Sequence, residues 1–189
     1  MKLIIKSIKL LLFMTILTGL FYPVFIFLLA KITFPDKSAG SFIEVNGNII
    51  GSELIAQKFD SSIYFQPRPS AIDYQPMPSG ASNLGPTSLQ LKNISDSLRL
   101  AYIKKNNLPE NTKVPTDAIF ASGSGIDPHI SYLNAIMQSN RVAASRNFND
   151  SKKKQLNDLI IKLTENPQFG FLGEQRINVL LLNIEMDKL

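Results

Sequence analysis

The sequence predicts an α+β protein in which one N-terminal transmembrane helix is followed by a small mixed α+β domain. Three observations support this fold class: a 21-residue run without a charged side chain, an Asn-Gly hairpin signal at residues 46–47, and apolar residues at helical spacing in the second half of the chain. We therefore divide the chain into an N-terminal segment (1–9), a membrane span (10–30) and one domain (31–189).

The uncharged run from Leu10 to Ala30 is long enough to cross a bilayer. As a helix it would measure about 31 Å, close to the thickness of the hydrocarbon core. A cleaved signal peptide is the alternative, but its apolar region would be shorter, and the bulky Leu28 stands where a small residue should precede the cleavage site. The sequence therefore predicts an uncleaved anchor.

The lysines flanking the span predict its orientation. Lys2, Lys6 and Lys9 precede it, which favours a cytoplasmic N-terminus and a domain outside the cytoplasm. Within the span, Thr15 and Gly19 lie four residues apart, a spacing at which small side chains let a partner helix approach closely. We expect this pair to pack against another membrane helix.

Charge and composition exclude several classes of function. The net charge of +5 belongs to the N-terminus, because residues 31–189 carry 17 basic and 15 acidic side chains. No nucleic-acid footprint is therefore expected. The absence of cysteine excludes disulfides, thiol catalysis and cysteine-rich zinc sites, and a single histidine without a calcium-loop pattern predicts no metal site.

The first half of the domain is predicted to contain a hairpin, a short helix and a long loop. Residues 42–51 give two strands around Asn46-Gly47, and residues 52–59 give a helix capped by Ser52. The segment that we call the long loop (64–88) holds five prolines and shows no helical or strand period. Its aromatic residues favour an ordered, extended conformation over disorder.

Three elements are predicted between residues 85 and 145. A helix runs from Gly85-Pro86 to about residue 106, with four inward positions: Leu89, Ile94, Leu98 and Ala101. Residues 114–122 form a strand. Asp127 caps a second helix that begins at Pro128. Its apolar face holds Ile130, Leu133, Ile136, Met137 and Ala144, and its opposite, polar face holds Ser131, Asn134, Gln138, Arg141 and Ser145.

The last third of the chain predicts one more helix and a buried strand. Asn149 or Asp150 caps the helix, whose apolar positions follow the i, i+3, i+4, i+7 pattern: Leu156, Leu159, Ile160 and Leu163. Gly170 and Gly173 break the chain. Residues 176–186 are apolar on both alternations, as in a central strand that is covered on both faces.

The stretch ASGSGIDPHIS, which we call the glycine–serine loop (121–131), allows three interpretations. A phosphate cradle fits the flexibility of the loop, but the Gly-Lys-Ser/Thr ending of a P-loop is absent and Asp127 places a negative charge where a phosphate would bind. A serine hydrolase has the residue types it needs in Ser122, Ser124 and His129, but the G-x-S-x-G pattern is absent. The remaining interpretation is a turn from strand to helix that offers a contact surface.

Four blocks of sequence carry a resemblance to a known family. They are YFQPRPSAIDY (64–74), SGASNLGP (79–86), the glycine–serine loop with Gln138 and RVAASR (141–146), and LGEQRINVLLLN (172–183). In this order they resemble the C subunit of the bacterial Kdp potassium-transporting ATPase. The resemblance runs from the N-terminal span to about residue 187. The chain departs from the family pattern at an expected glycine (Ala56) and at two expected prolines (Tyr132 and Gln175).

The resemblance implies a non-catalytic accessory subunit of an ATP-driven potassium import complex in the bacterial cytoplasmic membrane. The implied partners are a channel-like potassium-translocating subunit, an ATP-hydrolysing P-type subunit, a small membrane peptide and the lipid bilayer. The family is described as a catalytic chaperone that raises the ATP affinity of the hydrolysing subunit, so ATP would be bound only within the complex. A membrane-anchored external binding domain is the alternative function, and an anchored serine hydrolase is a weaker one.

The lysine bias conflicts with the ATP account, because it places the glycine–serine loop outside the cytoplasm. We therefore expect the loops to dock on the outer mouth of the potassium-translocating subunit. The candidate interaction or nucleotide loop comprises Ser122, Gly123, Ser124, Gly125, Asp127 and His129, with Gln138 and Arg141 downstream. The second candidate interaction loop comprises Arg68, Ser70, Tyr74, Ser79, Gly80, Ser82 and Asn83. No catalytic residue is predicted.

Overall fold

The computed structural model describes all residues from 1 to 189, and its architecture is mixed α+β, which confirms the predicted fold class. The chain divides into two compact units, Met1–Ser52 and Glu53–Leu189. The first unit contains α1 (Lys2–Ile16), a π-helical segment (Leu17–Phe21), α2 (Tyr22–Thr33), α3 (Pro35–Ser38), β1 (Phe42–Val45) and β2 (Asn48–Ser52). The second contains α4 (Leu89–Lys105), β3 (His129–Ser131), α5 (Tyr132–Ser145), α6 (Asp150–Leu163), β4 (Arg176–Asn178) and α7 (Val179–Met186).

The N-terminal helix is continuous from Lys2 to Thr33 and is long and apolar enough to cross a membrane. Its most apolar window has a mean hydropathy of 2.3. The π-helical segment Leu17–Phe21 ends two residues before Pro23. Proline has no N–H to donate to the carbonyl of Gly19, so the regular i→i−4 hydrogen-bond ladder is interrupted there.

The first unit also contains the predicted hairpin. β1 and β2 pair antiparallel, with Phe42 opposite Ser52 and Val45 opposite Asn48. Asn46 and Gly47 occupy the turn with φ angles of 52° and 78°. Both central residues of this tight turn need positive φ, which Asn and Gly tolerate best. The predicted hairpin is therefore confirmed, with the turn at the expected residues.

The second unit is built on a short two-stranded sheet covered by helices. β3 and β4 pair antiparallel with Ile130 opposite Ile177, and both side chains are buried. Residues of α5, α6 and α7 pack around this pair and complete one core, whose largest members are Phe65, Ile130, Val142, Leu156, Ile160, Ile177, Leu182 and Met186. Phe65 brings the start of the long loop into the core, so the loop is ordered at that end.

Helix α6 agrees with its prediction. Its N-cap is Asn149, whose side chain accepts a hydrogen bond from the Lys152 amide. Leu156 and Ile160 are fully buried, while Leu159 and Leu163 pack against the same core at partial burial. Its four apolar positions bury as expected because one stripe of a two-sided surface helix has to meet the core.

The predicted start of the preceding helix is wrong. Residues 129–131 form β3, and α5 begins at Tyr132 with Ser131 as its N-cap. The Ser131 hydroxyl accepts from the Asn134 amide at 3.1 Å. The Asp127 side chain instead accepts from the His129 amide at 3.0 Å and so forms a local turn. The helix cannot start there, because the backbone of residues 129–131 is paired with β4.

The predicted faces of α5 are only partly right: Ile130 is buried and Ile136 packs against the core, but other positions contradict the prediction. Leu133 is 51% exposed and Ala144 is exposed, whereas Asn134, Gln138 and Arg141, on the predicted polar face, are 1–5% exposed. These three polar side chains are buried because each of them is hydrogen-bonded inside the protein. Hydropathy assigns such residues to solvent, since it does not register the partners that compensate for burial.

Three further elements differ from their predictions because other partners take their backbone groups. Residues 52–59 are not helical, and the Ala56 amide donates to the carbonyl of Ile126 at 2.9 Å. Residues 114–122 form no strand but a 3₁₀ turn at Thr116–Ala118. Residues 176–186 divide into β4 and α7 with Asn178 as the cap, because Asn178 pairs with His129, the first residue of β3, and the next partner would be Pro128, which has no N–H.

Helix α4 is present but starts later than predicted. Gly85 and Pro86 lie in a turn, and the Ser88 hydroxyl caps the helix by accepting from the Leu91 amide. Of the four positions predicted to point inward, Leu98 is half-buried, while Leu89, Ile94 and Ala101 are exposed. The buried side is instead formed by Tyr102, Ile103 and Asn106, so polar groups again occupy the inward face.

Candidate functional site

The two candidate loops, far apart in sequence, lie against each other and form one surface. The Ser70 hydroxyl donates to the carbonyl of Gly125 at 2.6 Å, and the Gly80 amide donates to the carbonyl of Ser124 at 3.1 Å. The Ser122 amide also donates to Pro69 at 3.4 Å. These three bonds join the middle of the long loop to the middle of the glycine–serine loop.

Gly125 is required for this contact. Its φ is +74°, and a Cβ built on it would lie 2.4 Å from Cγ1 of Ile72 and 2.8 Å from the carbonyl oxygen of Gly80. Any side chain would therefore push the long loop away and would strain the backbone as well. Gly123 is different, since a Cβ there would meet no atom within 4 Å and the residue is exposed.

An ion pair connects the same two loops. Nη1 of Arg68 lies 3.0 Å from Oδ2 of Asp127, and Nη2 of Arg68 donates to the carbonyl of Phe120 at 3.5 Å. Oδ1 of Asp127 lies 3.3 Å from Nδ1 of His129. Burial alone would raise the pKa of the Asp127 carboxyl, but the His129 hydrogen bonds and the Arg68 charge outweigh it and hold the pKa below its usual value.

Tyr74 fixes the fold of the long loop around Arg68. Its hydroxyl donates to the Arg68 carbonyl at 2.7 Å, and its amide donates to the Ser70 hydroxyl at 2.9 Å. Burial raises the pKa of Tyr74 to about 12, so the hydroxyl stays a donor at neutral pH. Ser79, Ser82 and Asn83, farther along the loop, are exposed.

Gln138 and Arg141 hold the start of the long loop from beneath. The Gln138 side-chain amide pairs with the backbone of Gln66, accepting from its N–H at 2.8 Å and donating to its carbonyl at 3.1 Å. Asn183 pairs with both backbone groups of Phe65 in the same way, at 2.8 and 2.9 Å. A carboxamide carries one donor and one acceptor side by side, so it can replace a neighbouring strand.

The Arg141 guanidinium is buried without a carboxylate partner. It donates to Asn106 Oδ1 at 2.9 Å, to Gln138 Oε1 at 2.9 Å, and to the carbonyls of Ser62 and Tyr64. Burial lowers the pKa of Arg141 below its usual value, yet the four neutral acceptors keep the charge solvated. Gln138 and Arg141, which were proposed as contact residues, therefore make their hydrogen bonds inside the domain.

A polar chain beyond Gln138 was not anticipated from the sequence. Gln138 donates to Oδ1 of Asn134, whose Nδ2 donates to Oδ2 of Asp117 at 2.9 Å. Asp117 also accepts from the amide and the hydroxyl of Ser131, at 2.8 and 2.9 Å. The repetition of polar residues at helical spacing (131, 134, 138, 141) was the available signal, but it is shared by any solvated helix face.

The geometry gives no catalytic or metal constellation. Ser122 is buried, and its hydroxyl accepts from the Asp127 amide, while the Ser124 hydroxyl accepts from the Ile126 amide. Neither hydroxyl hydrogen-bonds the His129 ring, as the base of a triad would require. No group of three or more His, Cys, Asp or Glu side chains is placed to bind a metal ion.

An open groove of about 600 Å³ runs beside the joined loops. Arg68, Asp127 and His129 line one part of it, and Asp117 and Ser131 line another. Both signs of charge and several hydroxyl and amide groups are therefore presented together. Such an arrangement can bind a polar protein segment, and it offers no single-sign field for a polyanion.

The candidate pair of the N-terminal helix, Thr15 and Gly19, lies in the first unit. Thr15 and Gly19 are both exposed, and a Cβ at Gly19 would meet no atom within 4 Å. Gly19 lies within the π-helical segment, and its carbonyl is the one that Pro23 cannot bond. A partner helix could therefore approach closely at this point.

Comparison with known proteins gives one family over nearly the whole chain. The family model described as "K+-transporting ATPase, c chain" matches residues 4–188. A Leptospira interrogans protein named "Potassium-transporting ATPase KdpC subunit" is 45% identical over 181 residues, covering 96% of this chain and 91% of that protein. Proteins of the same name from Mycobacterium bovis (41% over 188 residues, 98% of each chain) and Methylococcus capsulatus (44% over 193 residues, 97% and 96%) are also similar.

Proposed function

Because the chain belongs to the family of the c chain of K⁺-transporting ATPases, an accessory subunit of a potassium import complex, we propose that it is a membrane-anchored docking subunit. Its N-terminus lies in the cytoplasm, and its folded domain lies outside. The surface made by the long loop and the glycine–serine loop docks on the outer mouth of the channel-like, potassium-translocating subunit. The ATP-hydrolysing subunit and a small membrane peptide complete the complex.

The locking of the two loops is the observation that carries this proposal. Exposed Gly123 and Ser124 lie next to the tip that carries Ser79, Ser82 and Asn83, and the bonds from Ser70 and Gly80 hold both segments in one arrangement. A rigid surface loses less conformational entropy on binding than a mobile one. Its hydroxyl, amide and carbonyl groups suit an interface beside a cation path, because hard cations prefer oxygen.

A non-catalytic role agrees with the chemistry of the site. The only histidine is engaged by Asp127, and the serines of the loop cap backbone amides. His129 and the two serines therefore fix the conformation of the loop surface. We assign the effect of the subunit on transport to assembly and positioning of its partners.

The chaperone account, in which the subunit raises the ATP affinity of the hydrolysing subunit, is the second candidate. The pairing of Gln138 with Gln66 and Arg141 argues against direct contact between that glutamine and a nucleotide. Arg68, the cation beside the loop, is already paired with Asp127 at 3.0 Å, so it is not free to neutralise a triphosphate. On this account ATP is bound only within the complex, and the isolated chain binds it weakly.

Substitution of exposed loop positions tests the docking surface. Gly123→Arg and Ser82→Arg each place a long side chain where the structure has open space, so folding should be unaffected while a docked partner is displaced. We expect recovery of the complex in pull-downs to fall roughly tenfold, equivalent to about 1.4 kcal/mol. Potassium-stimulated ATPase activity should fall in parallel.

Ser151→Arg is the matched control, since it adds the same charge at an exposed position of α6 away from both loops. It should leave assembly unchanged. Normal assembly and activity of the Gly123 and Ser82 variants would remove the loop surface from the interface. Loss of assembly in all three variants would indicate a charge effect instead.

A further inference from the structure

The first two turns of α1 separate charge from apolar surface. At 100° per residue, Lys2, Lys6 and Lys9 fall within a stripe about 60° wide. The other side of the same turns carries Leu3, Ile4 and Ile8, with exposed fractions of 78%, 63% and 50%. The three lysines lie along about 10 Å of helix, so they form one continuous cationic stripe.

The length of the helix places this stripe at the membrane surface. The helix from Lys2 to Thr33 has 32 residues and would measure about 48 Å, whereas the hydrocarbon core is about 30 Å thick. The uncharged residues 10–30 fill the core. The lysine-bearing turns then extend into the headgroup layer, where long lysine side chains reach phosphate while the aliphatic side remains against acyl chains.

The chain itself supplies no counter-ion for the stripe. The first acidic residue in the sequence is Asp36, beyond the far end of the span. No ion pair involves any of the three lysines. The nearest negative charges available to them are therefore lipid phosphates.

We propose that Lys2, Lys6 and Lys9 form a binding stripe for the phosphate headgroups of anionic phospholipids, and that the stripe fixes the depth and rotation of the span. The apolar side of the same turns favours lipid over an acidic protein surface, because Leu3, Ile4 and Ile8 would otherwise face water. The proposal goes beyond the docking role and does not depend on the orientation of the chain. It requires only that the helix spans the bilayer.

Tryptophan quenching in lipid of known composition tests the proposal directly. The chain has no tryptophan, so Leu10→Trp, at an exposed position of α1, is a single reporter of neighbouring lipid. The full chain is reconstituted into nanodiscs of phosphatidylcholine containing phosphatidylglycerol, with one of the two lipids brominated in its acyl chains. The ratio of quenching by the two brominated lipids gives the preference for the anionic headgroup. Both leaflets have the same composition, so the orientation of the chain does not affect this ratio.

We expect a preference for phosphatidylglycerol that falls about fivefold for each lysine removed in the series Lys2→Gln, Lys6→Gln and Lys9→Gln. A matched variant combines Ile4→Lys with Lys6→Ile, which keeps the amino-acid composition and the charge but breaks the stripe. This variant should also lose most of the preference. Co-elution with the nanodiscs in size-exclusion chromatography confirms that each variant is inserted.

Two results would overturn the proposal. Equal quenching by both lipids in the parent chain would show that the stripe does not select anionic headgroups, and would leave it to an acidic surface of a partner. An unchanged preference in the Ile4/Lys6 exchange would show that net charge alone attracts the lipid. Failure of the docking variants described above would affect neither result.

Discussion

Side-chain amides and one guanidinium hold the long loop to the helical core. Gln138 and Asn183 replace the missing strand partners of residues 65 and 66, and Arg141 binds the carbonyls that precede them. Prolines and aromatic residues give the loop no ladder of its own, so the hydrogen bonds of its backbone have to come from elsewhere. Polar residues of α5 and α7 that point inward supply them.

Removal of the Arg141 side chain is expected to destabilise the folded domain. Arg141→Ala removes a donor from four acceptors, of which only Gln138 Oε1 keeps another, the Gln66 amide, and this loss should lower the free energy of unfolding by about 3 kcal/mol. Arg141→Lys should recover less than half of the loss, because three donors on one nitrogen cannot match the planar fork. Urea unfolding of the full chain in detergent measures both.

Lys104→Ala, at an exposed position of α4, is the control and should change the free energy of unfolding by less than about 0.5 kcal/mol. A similarly small change for Arg141→Ala would show that water replaces the guanidinium without loss. The internal role assigned to Arg141 would then be wrong.

The Asp127 carboxyl should titrate below its ordinary value of 3.8. Since the folded-state pKa is lowered, ionised Asp127 stabilises the joined loops at neutral pH, and this contribution disappears as the pH falls below about 4. The chemical shift of the His129 amide, which donates to this carboxylate, reports the titration by NMR. Arg68→Ala should raise the midpoint, and a midpoint at or above 3.8 in the parent chain would contradict the assignment.

At the scale of secondary structure, polar caps decide where the helices of the folded domain begin. In α4, α5, α6 and α7 the N-cap side chain accepts a hydrogen bond from the amide of the third helical residue; these caps are Ser88, Ser131, Asn149 and Asn178. The N-terminal helix lacks such a cap and depends on its surroundings. Its irregular feature, the π-helical segment before Pro23, coincides with the smallest side chain of the span.

Gly19→Ile should weaken assembly without affecting the helix itself. The position has open space around it, so the larger side chain is accommodated in the isolated chain but blocks close approach of a partner helix. We expect normal membrane insertion and reduced co-purification with the other subunits. Leu20→Ile, on a neighbouring exposed face, is the control. Full recovery of the complex with Gly19→Ile would mean that the folded domain alone maintains it.

At the scale of the whole molecule, the chain combines an apolar tether with a folded domain that has no catalytic constellation. The two compact units suit the proposed docking role, since the first carries a helix long and apolar enough to cross a membrane and the second carries the joined loops. Orientation decides what that surface can reach. On the proposed function it lies outside the cytoplasm and docks on the potassium-translocating subunit, whereas the chaperone account needs it inside.

Cysteine labelling determines the orientation, because the chain has no native cysteine. A membrane-impermeant maleimide should label Ser38→Cys and Ser151→Cys in intact spheroplasts. Ser7→Cys, before the span, should be labelled only after lysis and is the matched control. The reverse pattern would place the domain in the cytoplasm and would favour the chaperone account over docking at the outer mouth.

The sequence alone determined the features whose signal is local. The apolar helix, the Asn-Gly hairpin, the α6 stripe and the family were identified because composition, turn stereochemistry, periodicity and motif order need no distant partner. The long loop was likewise expected to be ordered on the strength of its aromatic residues. The order of the loop differs from the other features, because Gln138, Asn183 and Arg141 from distant segments supply the partners of its backbone.

Tertiary structure decided which face of α5 is buried, where α5 and α7 begin, and how the two loops meet. The polar side chain of Gln138 is buried only because the backbone of Gln66, 72 positions away, hydrogen-bonds to it. Position 125 has to be glycine because Ile72 and Gly80 occupy the space that a side chain would fill. A hydropathy pattern records the cost of burying a polar group and not the compensating hydrogen bond, which exists only once the chain has folded.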